Sequence, residues 1–128
     1  MASKNKYKTK IVGKINSKFC KDNNITNYSN MNIVQSFGLV KHVQKHINDF
    51  TDVDSYNQAM ANLDKIINKP YFMSYDSVKN SIKYYGQVKQ YVCVVVNLTN
   101  TEAYISTFYP VKKKTIDKLK KQLKTLPN

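Results

Sequence analysis

The strongest constraint on the fold is an uninterrupted apolar run, Tyr91–Val96, in the second half of the chain. Valine dominates this run, and the absence of polar alternation is typical of a strand that is covered on both faces of a sheet. Shorter strand patterns lie on either side, each bounded by polar turn residues. Together they predict four strands, at Tyr71–Met73, Ile82–Val88, Tyr91–Leu98 and Ala103–Tyr109.

Three other segments have apolar residues at helical spacing. They are Val40–Phe50, Ser55–Asn68 with Asp52 or Asp54 as its N-cap, and Lys112–Leu126 with seven lysines on its polar faces. A short strand is also predicted at Thr9–Ile15, with a bend or bulge at Gly13.

These elements predict an α+β architecture in which N-terminal helices pack on a four-stranded antiparallel sheet, followed by a basic C-terminal helix. The length of 128 residues fits a single domain, residues 1–128, with a basic, flexible tail at residues 1–8. In the last strand, simple alternation predicts Ser106 and Thr107 on opposite faces, with Thr107 on the side of Ile105 and Tyr109.

The charge is strongly one-sided. All 21 basic residues are lysines, only eight residues are acidic, and the formal net charge is +13. Lysine binds phosphate as a point charge and lacks the bidentate fork that reads guanine edges. The composition therefore favours a nucleic-acid backbone as partner, although solubility and an AT-rich coding sequence also account for individual lysines.

His42 and His46 are the two histidines of the chain, four residues apart in the first of the predicted helices. A helix places both rings on one side, at the boundary between core and solvent. This spacing occurs in zinc sites, but the metalloprotease pattern requires glutamate after the first histidine, where this chain has Val43. We therefore expect neither a metal site nor another cofactor.

Two histidines with many lysines suit RNA cleavage without a metal ion. A base removes the 2′-OH proton, the oxygen attacks the phosphorus, an acid protonates the leaving 5′ oxygen, and cations stabilise the phosphate. DNA lacks the 2′-OH, so this mechanism is restricted to RNA.

The order of the short motifs resembles that of the phage-associated barnase–EndoU–colicin–RelE-like nucleases over roughly Ile11 to Leu119. The matching pieces are Ile11–Ile15, the His42-x3-His46 segment, Ile67–Tyr71, Val92–Val96 and Ile105–Pro110. The resemblance implies metal-independent ribonucleases or toxin domains built from helices on a four-stranded antiparallel sheet. It also implies that the strand ending in Ser106–Pro110 supplies an active-site hydroxyl. Lys45 stands at the position before the second histidine, where the family has a basic residue, commonly arginine.

Candidate roles follow for the individual residues. His46 is the predicted base and His42 the acid, and the reverse assignment stays open. Thr107 or Ser106 binds the phosphate or orients a histidine, and Lys83 neutralises the transition-state charge. Tyr109 is a stacking platform or proton donor. The residues predicted to guide the RNA backbone are Lys41, Lys45, Lys112, Lys113 and Lys114.

Two alternatives use the same surface without catalysis: a nucleic-acid-binding module, and a protein-binding or protein-inhibiting regulator. A ribonuclease of this kind is typical of a toxin or mobile-element effector, for which we expect a cognate inhibitor protein. The sequence has neither a membrane-length apolar run nor a secretory signal at its polar amino terminus, so a cytoplasmic location without membrane contact is expected.

Overall fold

The computed structural model describes residues 9–36, 39 and 44–125, and for residues 26, 44–46 and 123–125 it describes the backbone alone. The predicted tail at residues 1–8 lies outside the described residues. Six strands form one sheet: β1 (Thr9–Lys14), β2 (Asn32–Ser36), β3 (Phe72–Asp76), β4 (Ser81–Gln87), β5 (Tyr91–Leu98) and β6 (Ala103–Val111). The described helices are α1 (Ser17–Asp22), α2 (Val53–Ala61), α3 (Leu63–Asn68) and α4 (Lys113–Thr125), with 3₁₀ turns at Thr26–Tyr28 and Gln44–Asp49.

The sheet is larger than predicted. Its strand order is β1-β2-β6-β5-β4-β3, so the four predicted strands are neighbours in one antiparallel block and β5 lies inside it. The expectation of four strands was wrong because β1 and β2 extend the sheet. β2 pairs in parallel with the start of β6, where Ile33 meets Ala103 and Val34 meets Tyr104. This pairing joins segments 70 residues apart, so no local sequence pattern predicts it.

Two helix predictions also change. The segment 55–68 divides into α2 and α3 because Asn62 leaves helical geometry, and its side-chain amide donates to the Gln58 carbonyl at 2.6 Å. Asp52 is the N-cap of α2, accepting from the Ser55 amide at 2.7 Å. In the histidine segment, Gln44–Asp49 forms a 3₁₀ turn instead of the expected α-helix. The predicted C-terminal helix is confirmed as α4.

The sheet separates two apolar clusters. On its first face, α1, α2 and α3 cover a core that includes Phe108, whose ring stacks on Tyr56 with centroids 5.6 Å apart. On its second face, Ile116 and Leu119 of α4 cover Tyr85 and Cys93, forming the second cluster. The two faces therefore have separate helical covers.

Gly13 allows α3 to approach β1 closely. A Cβ at this position would lie 3.0 Å from both the Ile67 and Asn68 side chains. The register of β1 shifts between Ile11 and Gly13, as the predicted bulge requires, and Asn68 donates to the Val12 carbonyl at 3.0 Å. Among the described residues, no helix has the length and apolar character needed to cross a bilayer.

Candidate functional site

One cross-strand row on the second face carries two of the predicted site residues. The register aligns Ser74 with Lys83, Lys83 with Val95, and Val95 with Thr107. Directly opposed residues of antiparallel strands project from the same face, so these four side chains form one row, which we call the Lys83 row. Lys83 and Thr107 stand two strands apart, which corresponds to about 10 Å between their backbones.

A β-bulge in β6 sets the direction of Thr107. Val95 pairs with Thr107 and Val96 with Ile105, so Ser106 is the extra residue of β6. The Ser106 hydroxyl donates to the Val95 carbonyl at 3.3 Å. The predicted placement of Thr107 beside Ile105 was wrong because the bulge interrupts alternation. Ile105 belongs to the first-face core, whereas Tyr109 packs in the second cluster.

The Thr107 side chain has an unused hydrogen-bonding group. Its Oγ1 atom is buried and has no partner among the described residues. Ser81 Oγ, at the start of β4, is buried and unpartnered in the same sense. The hydroxyls of Tyr56 and Tyr84, in the first-face core, have the same property, so Thr107 is distinguished by sharing a row with the partly exposed Lys83.

A second row lies next to the Lys83 row, closer to α4. It aligns Phe72 with Tyr85, Tyr85 with Cys93, and Cys93 with Tyr109. Burial raises the pKa of the Cys93 thiol, while hydrogen bonds donated by Tyr109 and Tyr85 and the nearby Lys83 charge act in the opposite direction. The thiol is therefore an acceptor inside a packed cluster.

Tyr109 and Tyr85 keep their protons at neutral pH. Burial, followed by the influence of Cys93, raises the pKa of Tyr109 far above its usual value. The same two causes raise the pKa of Tyr85 to about 12, against a lowering hydrogen bond with Ser74. Each hydroxyl is thus a neutral donor, and Tyr109 sits where β6 meets α4.

The histidine segment lies against β6. The turn Gln44–Asp49 contacts this strand, and Ile47 packs on the first-face core. Asp49 lines a cleft of ≈ 520 Å³ with Tyr109 and Lys112, while the Thr51 amide donates to Gln90 Oε1 at 2.8 Å. The turn that contains His46 is therefore next to the strand that carries the predicted hydroxyls.

The side chains of four predicted site residues lie outside the described part of the chain. His42 and Lys41 lie outside the described residues, and the side chains of His46 and Lys45 are outside them too. Among the described side chains, no three from His, Cys, Asp and Glu form a group that would hold a metal ion.

The lysines before and at the start of α4 are exposed. They are Lys112, Lys113 and Lys114, and the first turn of α4 contains no acid. Lysines are unfavourable beside the positive end of a helix dipole, so this turn gathers positive potential at the end of β6. Such a potential attracts phosphate.

The second face also has a third row, which contains polar residues and was not predicted from the sequence. Ser81 aligns with Asp76 and with Asn97, and Asn97 aligns with Tyr104. The Asn97 side chain donates to the Tyr104 hydroxyl at 3.3 Å. The signal was available in the alternation of each strand, since Ser81 and Lys83 share a parity in β4.

Comparison with known proteins identifies a family. A family model described as phage-Barnase-EndoU-ColicinE5/D-RelE like nuclease3 matches residues 10–118. No curated protein and no solved structure matches the chain.

Proposed function

The chain belongs to this phage-associated nuclease family, and we propose that it is a metal-independent endoribonuclease that cleaves RNA through 2′-OH attack. The observation that carries this proposal is the Lys83 row, which sets a cation on one face of the sheet beside a buried hydroxyl that has no partner among the described residues. The row adjoins two neutral tyrosines, and the histidine-bearing turn contacts the same strand, β6.

The transesterification needs a base, an acid and charge stabilisation. His42 and His46 supply the base and acid, because an imidazole titrates near neutral pH and can both accept and donate a proton. The 2′ oxygen forms a bond to phosphorus as the bond to the 5′ oxygen breaks, leaving a 2′,3′-cyclic phosphate and a 5′-hydroxyl. No oxidant, reductant or metal ion enters this balance.

Lys83 and Thr107 act on the phosphate. The charge on the non-bridging oxygens grows in the transition state, so a half-buried ammonium stabilises it more than it stabilises the ground state. The Thr107 hydroxyl donates to one of these oxygens once the side chains that bury it have moved, and thereby gains the partner that it lacks among the described residues. Tyr109 supports the site as a neutral donor at the α4 side.

The lysines at the start of α4 hold the flanking RNA backbone. Lys112, Lys113 and Lys114 are exposed beside the end of β6 and bind phosphates by charge. Lys41 and Lys45 extend this role to the histidine segment in the proposal. Since no arginine is present, we expect binding with little preference for base sequence.

A cleavage assay in excess chelator tests the mechanism. We expect labelled RNA to be cut to 2′,3′-cyclic phosphate ends, and a strand with a single deoxynucleotide at the cut site to resist cleavage there. His42→Ala and His46→Ala proteins that remain folded should each lose cleavage, whereas Lys79→Met, in the exposed β3–β4 turn, should not.

Two results would contradict the proposal. Wild-type cleavage by both histidine variants excludes the assigned acid and base. RNA binding that weakens with salt but occurs without turnover identifies a binding module in place of an enzyme. The proposed toxin or mobile-element role predicts that expression arrests growth and that either histidine substitution relieves the arrest.

A further inference from the structure

An aromatic side chain before β3 is exposed yet firmly held. Tyr71 exposes 54% of its surface, although its amide donates to the Tyr85 carbonyl at 2.7 Å and its hydroxyl donates to Gln87 Oε1 at 3.0 Å. Its ring also lies 6.1 Å from that of Tyr91, at an interplanar angle of 50°. The ring is therefore fixed in place before any ligand arrives.

One lysine lies at this ring, and two more line the cleft that the ring borders. The Lys120 ammonium, on α4, lies 5.7 Å from the Tyr71 ring centroid. Lys65 and Lys69 line a cleft of ≈ 480 Å³ with Tyr71, and Asp64 is the acid in the lining. Single exposed apolar side chains are common on protein surfaces. An exposed ring that is held in place near lysines offers both a stacking surface and positive charge to a ligand.

We propose that Tyr71, Lys65, Lys69 and Lys120 form a subsite that stacks one unpaired base of a single-stranded nucleic acid and binds its adjacent phosphates. Stacking on an aromatic ring combined with lysine charge is the usual way in which proteins hold single strands without reading sequence. A duplex keeps its bases paired and stacked, so it cannot present one to the ring. This inference rests on the proposed function, because it assigns a subsite for the same RNA substrate.

The subsite is separated from the proposed reacting phosphate. Tyr71 precedes β3, whereas Thr107 is on β6, three strands away or about 15 Å across the sheet. The lysines of α4 connect the two places, because this helix begins after β6 and carries Lys120 to the Tyr71 ring. Tyr71 should therefore affect strand binding and KM and leave kcat almost unchanged.

The experiment measures binding of a labelled single-stranded DNA of mixed sequence, which has no 2′-OH and cannot be cleaved by the proposed route. The Tyr71→Ala protein should bind it about tenfold more weakly than wild type, the loss expected for one stacked base. The Tyr71→Phe protein keeps the ring and should bind within about twofold of wild type. Val78→Ala is the matched control, since Val78 is an exposed apolar residue in another turn.

A duplex DNA of equal length and a polyglutamate peptide complete the test. If Tyr71→Ala remains folded by circular dichroism and binds the single strand like wild type, the subsite is wrong. Equal losses for single strand, duplex and polyglutamate also overturn it, since they indicate a general anion surface. If Tyr71→Ala is unfolded, the loss is sought in Tyr71→Leu, where an apolar side chain without a ring should show the same tenfold weakening.

The two proposals fail separately. If the wild-type protein cuts no RNA and Tyr71→Ala selectively loses single-strand binding, the subsite is supported and the ribonuclease is excluded. RNA cleavage with an unchanged KM in Tyr71→Ala supports the ribonuclease and excludes the subsite.

Discussion

The two faces of the sheet differ in what covers them. The first face is sealed by α1, α2 and α3, and side chains such as Val94 and Phe108 are fully buried beneath them. On the second face, α4 covers the row that contains Tyr85, while the next row contains Lys83 and Thr107 at intermediate exposure. One face thus supplies most of the apolar burial, and the other can carry polar groups that the core could not accommodate.

Buried hydroxyls without a partner among the described residues occur on both faces: Thr107 and Ser81 on the second, and Tyr56 and Tyr84 in the first-face core. An unsatisfied polar group costs about 1–3 kcal/mol. Catalytic side chains commonly lie in such locally unfavourable positions.

The largest effect is expected at Lys83, on the second face. Lys83→Met should lower kcat for RNA cleavage by about 10²–10³-fold, as expected when a group that stabilises transition-state charge is removed. Its free energy of unfolding should change by no more than about 0.5 kcal/mol. Lys79→Met is the matched control, and similar losses of kcat in both variants would show that general charge, rather than this position, is responsible.

Val94 and Val95 compare the two faces at adjacent positions of one strand. Val94 is fully buried on the first face, whereas Val95 is half-buried on the second. In urea denaturation, Val94→Ala should lower the free energy of unfolding by about 2–3 kcal/mol, and Val95→Ala by about 1 kcal/mol. Equal losses would contradict the contrast between the faces.

Alkaline pH should act on the second cluster. Burial raises the pKa of Cys93 above its usual value of 9.0, so the folded state favours the protonated thiol. This contribution is complete below pH 9.0 and declines as pH rises through the folded pKa, by at most about 1.4 kcal/mol per pH unit. Cys93→Ala should therefore flatten the fall in melting temperature between pH 8.5 and 11. An unchanged slope would exclude Cys93 as a contributor.

The smallest effect on stability is expected at Thr107. Thr107→Val removes a buried hydroxyl that has no partner among the described residues, so the free energy of unfolding should stay equal or rise by up to about 1 kcal/mol. RNA cleavage should fall several-fold, because one hydrogen bond to the phosphate is lost. A fall in stability instead would mean that the hydroxyl is already satisfied within the protein.

Apolar runs bounded by turn residues predicted the four antiparallel strands β3 to β6 well, because each of these strands has its neighbour close in sequence. The valine run predicted a central strand covered on both faces, and β5 lies inside the sheet with Val94 in the first-face core and Val95 packed against the second cluster. The pairing of β2 with β6 was missed because it depends on packing between distant segments. The helix break at Asn62 was missed because a side-chain bond to the backbone leaves no periodic signal.

The candidate site was predicted as separate residues rather than as an arrangement. Lys83 and Thr107 were each proposed from chemistry, but their common row depends on the register of three strands and on the bulge at Ser106. The periodicity of the sequence predicts neither the register of these strands nor the bulge. Tyr71 has no distinguishing pattern in the sequence, and its character comes from Lys120, 49 positions later in the chain. The positions of both imidazole rings remain predictions.

Pro110 has a consequence for how this protein meets other copies of itself. Among the described strands, β2 accompanies β6 only at Ala103 and Tyr104, so the later part of β6 forms a rim of the sheet. Proline has no amide hydrogen and cannot complete a ladder with an incoming strand. An incoming strand would therefore meet an interrupted hydrogen-bonding edge at this rim, which disfavours edge-to-edge pairing there.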